Sequence, residues 1–270
     1  MTSRIHETAI VDRSAVLGDG VVVGAYAVIG SGVQIGDDTE ISSHATVLGE
    51  TVLGRANRVF PYAAIGFDPQ DLKYEGESSR LVIGDRNQFR EFSTVNRGTA
   101  FGGGVTRIGD DNLFMTQTHV GHDSQVGSRT VFTNGGTLAG HVEVEDDATI
   151  GAFSAVHQFC RVGRHAYIGG YSVITMDALP FCITVGIKPA CMGVNRIGLE
   201  RKGKSPEDIR SIERAVRVLT RSRRNTTQAL EELDAEHAGH ADVDALIAFI
   251  RTSDRGFIRS ARRGSRGASS

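Results

Sequence analysis

Residues 16–36 read VLGDGVVVGAYAVIGSGVQIG, and from Leu17 onward every sixth residue of this stretch is aliphatic. The spacing extends well beyond the stretch. Eleven aliphatic residues lie six apart between Ile5 and Ile65, and the same register returns at 83–95 and at 108–174. A period of six matches neither the 3.6-residue period of a helix nor the two-residue period of an ordinary strand. The chain is therefore predicted to turn once per hexad.

Each hexad predicts a short strand followed by a corner. A small or β-branched residue follows the aliphatic position by four residues, as at Ala9, Ala15 and Val21, and such residues fit inside a corner. Three hexads would complete a triangular coil of about 18 residues, and successive coils would stack as parallel strands about 4.8 Å apart. The predicted fold class is all-β: a parallel β-helix whose aliphatic residues fill a prism.

The repeat is interrupted twice, at residues 67–82 and 98–107. Both segments are predicted to be loops that project from the prism, and insertions in solenoid folds often bind ligands. After about residue 180 the hexads fade. The predicted domains are a β-helix over residues 1–191 and a small α-helical appendage over 192–270 that ends in a disordered tail.

Helix signals support that appendage. Ser205 precedes Pro206 and two acidic residues, a pattern typical of a capped helix start. Either Thr226 or Thr227 is predicted to cap a second helix, and residues 241–251 to form a third. This region is also basic: residues 201–270 hold 15 Lys and Arg against 10 Asp and Glu. It is either a solvated helical surface or a dock for an acidic partner.

Net charge, cysteine content and the absence of long apolar runs exclude several classes of protein. The formal net charge is −2, so no nucleic-acid partner is expected. The three cysteines are odd in number and lack metal-ligand spacing, which favours reduced thiols in a cytoplasmic protein. No apolar run is long enough to span a bilayer, and the N-terminus lacks the apolar segment of a signal peptide. We therefore expect a cytoplasmic protein without integral membrane contact.

Histidines are concentrated in one part of the repeat. Five of the nine fall within 47 residues: His119, His122, His141, His157 and His165. Spacings of 19 and 16 residues between His122, His141 and His157 are close to one coil, so these side chains are predicted to lie near one edge of the prism. Such a cluster indicates a metal site, acid–base catalysis or surface histidines. Asp123 follows His122 directly, and a carboxylate there could hold one imidazole nitrogen protonated; the sequence leaves open whether the two side chains meet.

Seven segments carry a family resemblance. They are QDLKY at 70–74, IGDRN at 83–87, NRGT at 96–99, GHD at 121–123, TLAGHV at 137–142, AVHQFC at 155–160 and GVN at 193–195. In order and spacing, along nearly the whole chain, they resemble the UDP-N-acetylglucosamine O-acyltransferases of lipid A synthesis. The resemblance implies a left-handed coil, a homotrimer with active sites between adjacent prisms, and no cofactor or metal.

The resemblance also implies a reaction. A 3-hydroxyacyl group moves from acyl carrier protein to the 3-hydroxyl of UDP-N-acetylglucosamine, in the first step of lipid A synthesis. The implied catalytic residues are His122 as general base, Asp123 as its orienting partner and Gly140 as the oxyanion site. The implied substrate-binding residues are Asp71, Lys73, His119, His141, His157, Gln158, Asn195 and Arg201. Gly170 matches the position that limits acyl length, and a glycine there implies an acyl chain longer than ten carbons.

The acidic carrier protein implies a basic dock in the C-terminal region. The candidate residues are Arg214, Arg217, Arg221, Arg223 and Arg224. Two residues depart from the family pattern. Asn96 stands where histidine is common, and Ile197 stands where an acidic residue is usual, which puts one nucleotide contact in question.

Other activities remain open at this stage. One is transfer to a 3-amino sugar nucleotide. Another is the later N-acyltransferase of the pathway, which would normally carry an additional domain before the hexads, whereas the hexads here begin at Ile5. A zinc-dependent β-helical carbonic anhydrase uses three histidines, two of them in an HxxxxH pair that this chain lacks. A catalytically inactive scaffold is the last alternative.

Overall fold

The computed structural model describes residues 3–221, 224–237 and 239–261. In this part of the chain, short parallel strands wind into a β-helix and four helices follow. The strands are β1 (Arg4–Ile5), β2 (Ile10–Val11), β3 (Val16–Leu17), β4 (Val22–Val23), β5 (Val28–Ile29), β6 (Gln34–Ile35), β7 (Glu40–Ile41), β8 (Thr46–Val47), β9 (Glu50–Leu53), β10 (Arg58–Val59), β11 (Ala64–Phe67), β12 (Arg80–Ile83), β13 (Gln88–Phe89), β14 (Thr94–Asn96), β15 (Val105–Ile108), β16 (Leu113–Phe114), β17 (His119–Val120), β18 (Gln125–Val126), β19 (Val131–Phe132), β20 (Thr137–Leu138), β21 (Glu143–Val144), β22 (Thr149–Ile150), β23 (Ala155–Val156), β24 (Arg161–Val162), β25 (Tyr167–Ile168), β26 (Val173–Ile174), β27 (Cys182–Val185) and β28 (Ala190–Val194).

Up to β26, every third strand lies in the same sheet, so the prism has three faces. The first face runs β1-β4-β7 and so on to β25 and is completed by β27, which is parallel to β25, and by β28, which is antiparallel to β27. The second face runs from β2 to β26 and the third from β3 to β24. Within a coil, the first corner joins the first and second faces, the second corner joins the second and third faces, and the third corner closes the coil. The predicted parallel β-helix is confirmed.

The inside of the prism is filled by the hexad residues. Ile29, Val47 and Ile65 lie on successive strands of the second face and are almost fully buried. Where the register carries aromatic residues, the rings stack: the centroids of Phe89 and Phe114 are 4.8 Å apart. Burial of one aliphatic or aromatic side chain per hexad, repeated along the chain, supplies the main stabilisation of the prism.

A column of asparagines stabilises the third corner from within. Asn87 is fully buried, and its Nδ2 donates to Asn57 Oδ1 at 3.1 Å and to the Gly109 carbonyl at 2.9 Å. Its Oδ1 accepts from the backbone N–H of Asn112 at 2.9 Å. Side-chain amides thus satisfy backbone groups that a tight corner leaves without strand partners.

Both interruptions of the repeat project at the second corner. The first loop covers 68–79 and the second covers 97–104, with a 3₁₀ turn at Ala100–Gly102. Each is shorter than predicted from the hexads. β12 begins at Arg80 because residues 80–83 pair with β9, and β15 begins at Val105 because residues 105–108 pair with β12. Strand pairing with the preceding coil therefore extends into both predicted loops.

The helical region consists of α1 (Arg196–Arg201), α2 (Pro206–Arg221), α3 (Thr226–His237) and α4 (Ala241–Arg251). The predicted start of α2 is confirmed, since Ser205 Oγ accepts from the Asp208 N–H at 3.1 Å. The predicted cap of α3 is wrong. Asn225 caps this helix, since its Oδ1 accepts from the Gln228 N–H at 2.9 Å, and Thr226 and Thr227 lie inside the helix. The sequence prediction did not include α1.

The helices share a second core with the end of the prism. The hexad core runs to Ala178 and also takes in Ile258, which follows α4. A separate cluster begins at Leu179 and includes apolar residues of α2, α3 and α4. β28 runs to Val194 and so crosses the predicted boundary after residue 191. The predicted disordered tail at 262–270, Arg223 and the side chain of Arg221 lie outside the described residues. No helix among those residues has the length and hydropathy needed to cross a membrane.

Candidate active site

The second corner brings His122 and Asp123 together. Successive side chains of a strand point to opposite faces, but Asp123 has a φ of 59°, which turns the chain sharply at this residue. As a result His122 Nδ1 lies 2.8 Å from Asp123 Oδ2. A carboxylate can only accept, so Nδ1 carries the proton and Nε2 is left free to act as a base. The contact that the sequence left open is therefore present.

The second loop covers the Asp123 carboxylate. The backbone N–H of Thr99 donates to Oδ1 at 2.8 Å and the Thr99 hydroxyl donates to Oδ2 at 2.7 Å. Thr106 Oγ1 accepts from the Asp123 N–H at 2.8 Å, which fixes the backbone. Burial raises the pKa of the Asp123 carboxyl, but hydrogen bonds from His122 and Thr99 outweigh it and hold the pKa below the usual range. Asp123 is therefore a buried anion facing His122.

The next coil places Gly140 and His141 against this pair. A side chain at position 140 would overlap the His122 ring, so the imidazole occupies space that only glycine leaves open. The rings of His141 and His122 meet edge to face with centroids 5.0 Å apart, and His141 Nε2 lies 3.7 Å from Asp123 Oδ2. Burial lowers the pKa of His141, which favours its neutral form.

His119 lies on β17, three residues before His122. Its Nδ1 is 2.7 Å from the hydroxyl of Thr94, one coil earlier on the second face. Burial lowers the pKa of His119, and nearby His122 lowers it further. Like His141, His119 is therefore favoured in its neutral form beside His122.

The first loop carries Asp71 and Lys73 at the same corner. The negative charge of Asp71 acts on His141, which places the two groups near each other. The Lys73 ammonium lies 5.8 Å from the ring centre of Phe101, on the second loop. Asn96 Nδ2 donates to the Asp68 carbonyl at 2.7 Å, so the residue that departs from the family pattern holds the base of the loop.

Arg97 also holds the first loop. Its Nη1 donates to the Gly66 carbonyl at 2.5 Å, and its Nη2 pairs with the Asp68 carboxylate and lies 3.3 Å from the Tyr74 hydroxyl. The guanidinium therefore links the start of the loop to its middle. β14 and the residues after it thus contact His119, the first loop and Asp123 from one continuous stretch of chain.

The remaining predicted residues lie further from His122. His157 and Gln158 are exposed on the coil after Gly140, and His157 Nδ1 donates to the Gln158 carbonyl at 3.2 Å. Gly170 is exposed at the first corner. A Cβ built on it would meet only Ala152 backbone atoms, the nearest at 3.3 Å, so the surface is open there.

Asn195 and Arg201 are at a different corner. Asn195 caps α1, and its Nδ2 donates to the His165 carbonyl at 3.2 Å, while the neighbouring Lys202 pairs with Asp147 at 2.6 Å. His165 and Asp147 belong to the third corner. A single chain therefore does not bring Asn195 or Arg201 to His122. Ile197, the other departure from the family pattern, is 64% exposed on α1.

The same corner also groups three potential metal ligands. Ligand atoms of His122, Asp123 and His141 lie within 4.8 Å of one another. However, both Asp123 oxygens already accept hydrogen bonds from Thr99, and Oδ2 accepts a further one from His122. A carboxylate satisfied in this way orients an imidazole rather than binding an ion, and the geometry favours acid–base chemistry.

Known proteins with the same sequence pattern place the chain in a family. The model described as "Udp N-acetylglucosamine O-acyltransferase; Domain 2" matches residues 177–258, and the hexapeptide transferase model matches 14–49 and 141–175. An acyl-[acyl-carrier-protein]–UDP-N-acetylglucosamine O-acyltransferase of Myxococcus xanthus is 47% identical over 257 residues, 95% of this chain and all of its own length. The chain belongs to the UDP-N-acetylglucosamine O-acyltransferase family. A relative from Anaeromyxobacter sp. (strain K) with the same name is 50% identical over 71% of this chain and 74% of its own.

Solved structures of the family share the whole fold. The UDP-N-acetylglucosamine acyltransferase of Francisella novicida superposes with a TM-score of 0.92 at 38% identity, over 96% of this chain and 95% of its own. The Bacteroides fragilis enzyme gives a TM-score of 0.91 at 38% identity, over 94% and 100% of the two chains. The prism is therefore the left-handed parallel β-helix of this acyltransferase family, with C-terminal helices.

Sequence reasoning missed three residues that shape the candidate site. Thr99 binds both oxygens of Asp123, Gly102 leaves room for that carboxylate, and Arg97 holds the first loop. The available signal was the segment NRGT, which carried the resemblance but no assigned role. Thr99 precedes Asp123 by 24 residues and reaches it across a loop that breaks the repeat, so hexad spacing gave no indication of the contact.

Proposed function

We propose that the protein transfers a 3-hydroxyacyl group from acyl carrier protein to the 3-hydroxyl of UDP-N-acetylglucosamine, the first step of lipid A synthesis, in the cytoplasm. The observation that carries the proposal is the oriented pair of His122 and Asp123, with a 2.8 Å contact and a free Nε2. The names of the relatives supply the donor and acceptor.

The chemistry follows from the geometry of the pair. Nε2 of His122 takes the proton of the acceptor hydroxyl as its oxygen attacks the carbonyl carbon of the acyl thioester. The backbone N–H of Gly140 stabilises the oxyanion that forms. When the carbon–sulfur bond breaks, the His122 imidazolium gives the proton to the departing thiolate of the carrier, which leaves as the thiol. Asp123 stabilises the imidazolium between the two proton transfers.

The remaining substrate contacts are proposed from their places around this pair. Asp71, Lys73, His119 and His141 surround the corner that carries the base and bind the sugar nucleotide. On the next coil, His157 and Gln158 extend this surface. Gly170 keeps the acyl path open, which predicts preference for a chain longer than ten carbons.

We further propose a homotrimer in which the active site lies between adjacent prisms. The supporting observation is the position of Asn195 at the third corner, where it contacts the His165 carbonyl rather than the His122 corner. In a trimer, Asn195 and Arg201 of a neighbouring protomer can reach the nucleotide and the pantetheine arm beside His122. The basic C-terminal residues, including Arg214, Arg217 and Arg224, then form the dock for the acidic carrier protein.

The function is tested with purified protein, UDP-N-acetylglucosamine and 3-hydroxyacyl carrier proteins of 10 to 18 carbons, with products identified by mass spectrometry. A 3-O-acylated product is expected, with the highest rate on a chain longer than ten carbons. Parallel reactions contain the 3-amino analogue of the acceptor. Product from the analogue alone would reassign the acceptor, and no product from either acceptor with any chain would refute the proposed function.

A further inference from the structure

The second loop closes over the carboxylate that orients the catalytic base. Thr99 is 2% exposed, and the Asp123 side chain has no exposed surface. Two hydrogen bonds from one residue, 2.8 Å from the backbone N–H and 2.7 Å from the hydroxyl, therefore reach a charge that water does not solvate. Charge-assisted bonds of this kind are stronger than bonds between neutral groups, particularly where water is excluded.

The Thr99 hydroxyl has a fixed direction. Its oxygen accepts from the Gly102 N–H at 3.2 Å, because Thr99 caps the 3₁₀ turn at Ala100–Gly102. With that side of the oxygen occupied, its own hydrogen points to Asp123 Oδ2. That oxygen is also the acceptor for His122 Nδ1, so the hydroxyl and the imidazole share one atom.

Gly102 allows this arrangement. A Cβ at position 102 would collide with the carboxyl group of Asp123, so the turn packs directly on the carboxylate only because residue 102 is glycine. Gly102 has no positive φ, and the requirement is one of space rather than backbone conformation. Two independent features of the second loop, a donor pair and a missing side chain, are thus directed at Asp123.

We propose that Thr99 is a positioning residue of the reaction, the third member of a Thr99–Asp123–His122 relay that sets how strongly the base binds its proton. The inference deepens the proposed function and rests on it for the identity of the reaction. Donation by Thr99 draws negative charge away from the oxygen that faces His122. Without the hydroxyl, that oxygen stabilises the imidazolium more strongly, and the base keeps its proton to higher pH.

Other titratable groups around the relay remain in place when Thr99 changes. His141 lies 3.7 Å from Asp123 Oδ2 on the next coil, His119 lies on the strand before the corner, and Asp71 acts on His141 from the first loop. None of these groups hydrogen-bonds to Thr99 among the described contacts. Removal of the Thr99 hydroxyl therefore leaves their contacts in place and deletes two bonds, the one to Asp123 Oδ2 and the one from the Gly102 N–H.

The test compares wild type with Thr99→Val, which keeps the shape and removes the hydroxyl, and Thr99→Ser, which keeps it. Two midpoints are measured: the acid limb of the pH profile of kcat/KM, and the titration of the His122 imidazole by NMR, assigned with His122→Ala. We expect Thr99→Val to raise both midpoints by about 0.5–1 pH unit, which lowers kcat/KM by about 3- to 10-fold at pH values on the acid limb. Thr99→Ser, which keeps the hydroxyl, is expected to have both midpoints at their wild-type values.

Gly102→Ala provides a second variant, since it pushes the turn off the carboxylate with Thr99 intact, and it is expected to raise the midpoints in the same direction. If Thr99→Val does not fold, the two midpoints measured in Gly102→Ala test the relay in its place. Wild-type midpoints in the folded variants would overturn the relay, even with a reduced rate. The NMR titration needs no substrate, so the relay is tested whether or not wild type transfers an acyl group, and absent transfer refutes only the proposed function.

Discussion

A Cβ atom on Gly140 would lie 2.5 Å from Cε1 and Nε2 of the His122 ring. The two residues come from successive coils, and the ring of one fills the space above the backbone of the other. The stacking of coils therefore fixes where Nε2 points. It also makes Gly140 a steric requirement of the site, in addition to any use of its N–H.

Gly140→Ala is expected to lower kcat/KM by about 100-fold, because a displacement of the base by roughly 1 Å has an effect of that size. The backbone N–H is retained in this variant, so the loss reports the position of the ring. The control is the same change in a His122→Ala background, where it should cost almost nothing further. Equal losses in both backgrounds would show that Gly140 acts independently of the ring.

Arg97→Gln is expected to raise the KM for UDP-N-acetylglucosamine roughly tenfold, with a smaller change in kcat. The guanidinium holds the loop that carries Asp71 and Lys73, and loss of its charged hydrogen bonds frees that loop. Arg86→Gln is the matched control, since it breaks an exposed pair with Asp111 at the third corner. Steady-state kinetics give KM and kcat for both variants. An equal rise in KM in Arg86→Gln would contradict the role of Arg97.

Asn87→Ala is expected to lower the free energy of unfolding by about 2–4 kcal/mol, because it leaves the Gly109 carbonyl and the Asn112 N–H buried without partners. Gln88→Ala, at the exposed neighbouring position, should change it by less than about 0.5 kcal/mol. Denaturant unfolding measures both. A small loss for Asn87→Ala would mean that the asparagine column contributes little to the prism.

The protein is expected to lose stability as the pH falls from about 6.5 towards 5. Burial lowers the pKa values of His119 and His141, so the unfolded chain takes up protons near pH 6.5 that the folded chain binds only at lower pH. Between the pKa of these histidines in the folded chain and their pKa in the unfolded chain, protonation therefore favours unfolding. Unfolding free energies measured across this range should fall with pH, and less steeply in His119→Gln. An identical slope in that variant would contradict the assignment to His119.

Most of the fold could be predicted because the hexad constrains every coil in the same way. The predicted hexad residues from Val23 to Ile174 are all buried, since each must fill the inside of the prism on its own coil. The ends of the two loops could not be predicted from the sequence alone. Leu81 lies inside the predicted first loop, yet it is fully buried and pairs with Thr51 on β9.

The site was predictable where it follows the coil and not where it depends on loops. His122, Gly140 and His141 lie together because stacking converts sequence spacing into proximity. The contact between His122 and Asp123 depends on the positive φ of Asp123, which a corner permits but spacing does not specify. Thr99 reaches Asp123 only through the fold of an irregular loop. Asn195 is far along the chain and contacts the third corner, which no repeat pattern indicates.

The central claim is that His122 is the base of an acyl transfer to UDP-N-acetylglucosamine. Its most direct test measures kcat/KM for the 3-O-acyl product with wild type, His122→Ala and His6→Ala, an exposed histidine in the first coil. A loss of about 10²–10⁴-fold in His122→Ala is predicted, with His6→Ala unchanged. A folded His122→Ala protein that forms this product at the wild-type rate would contradict the account.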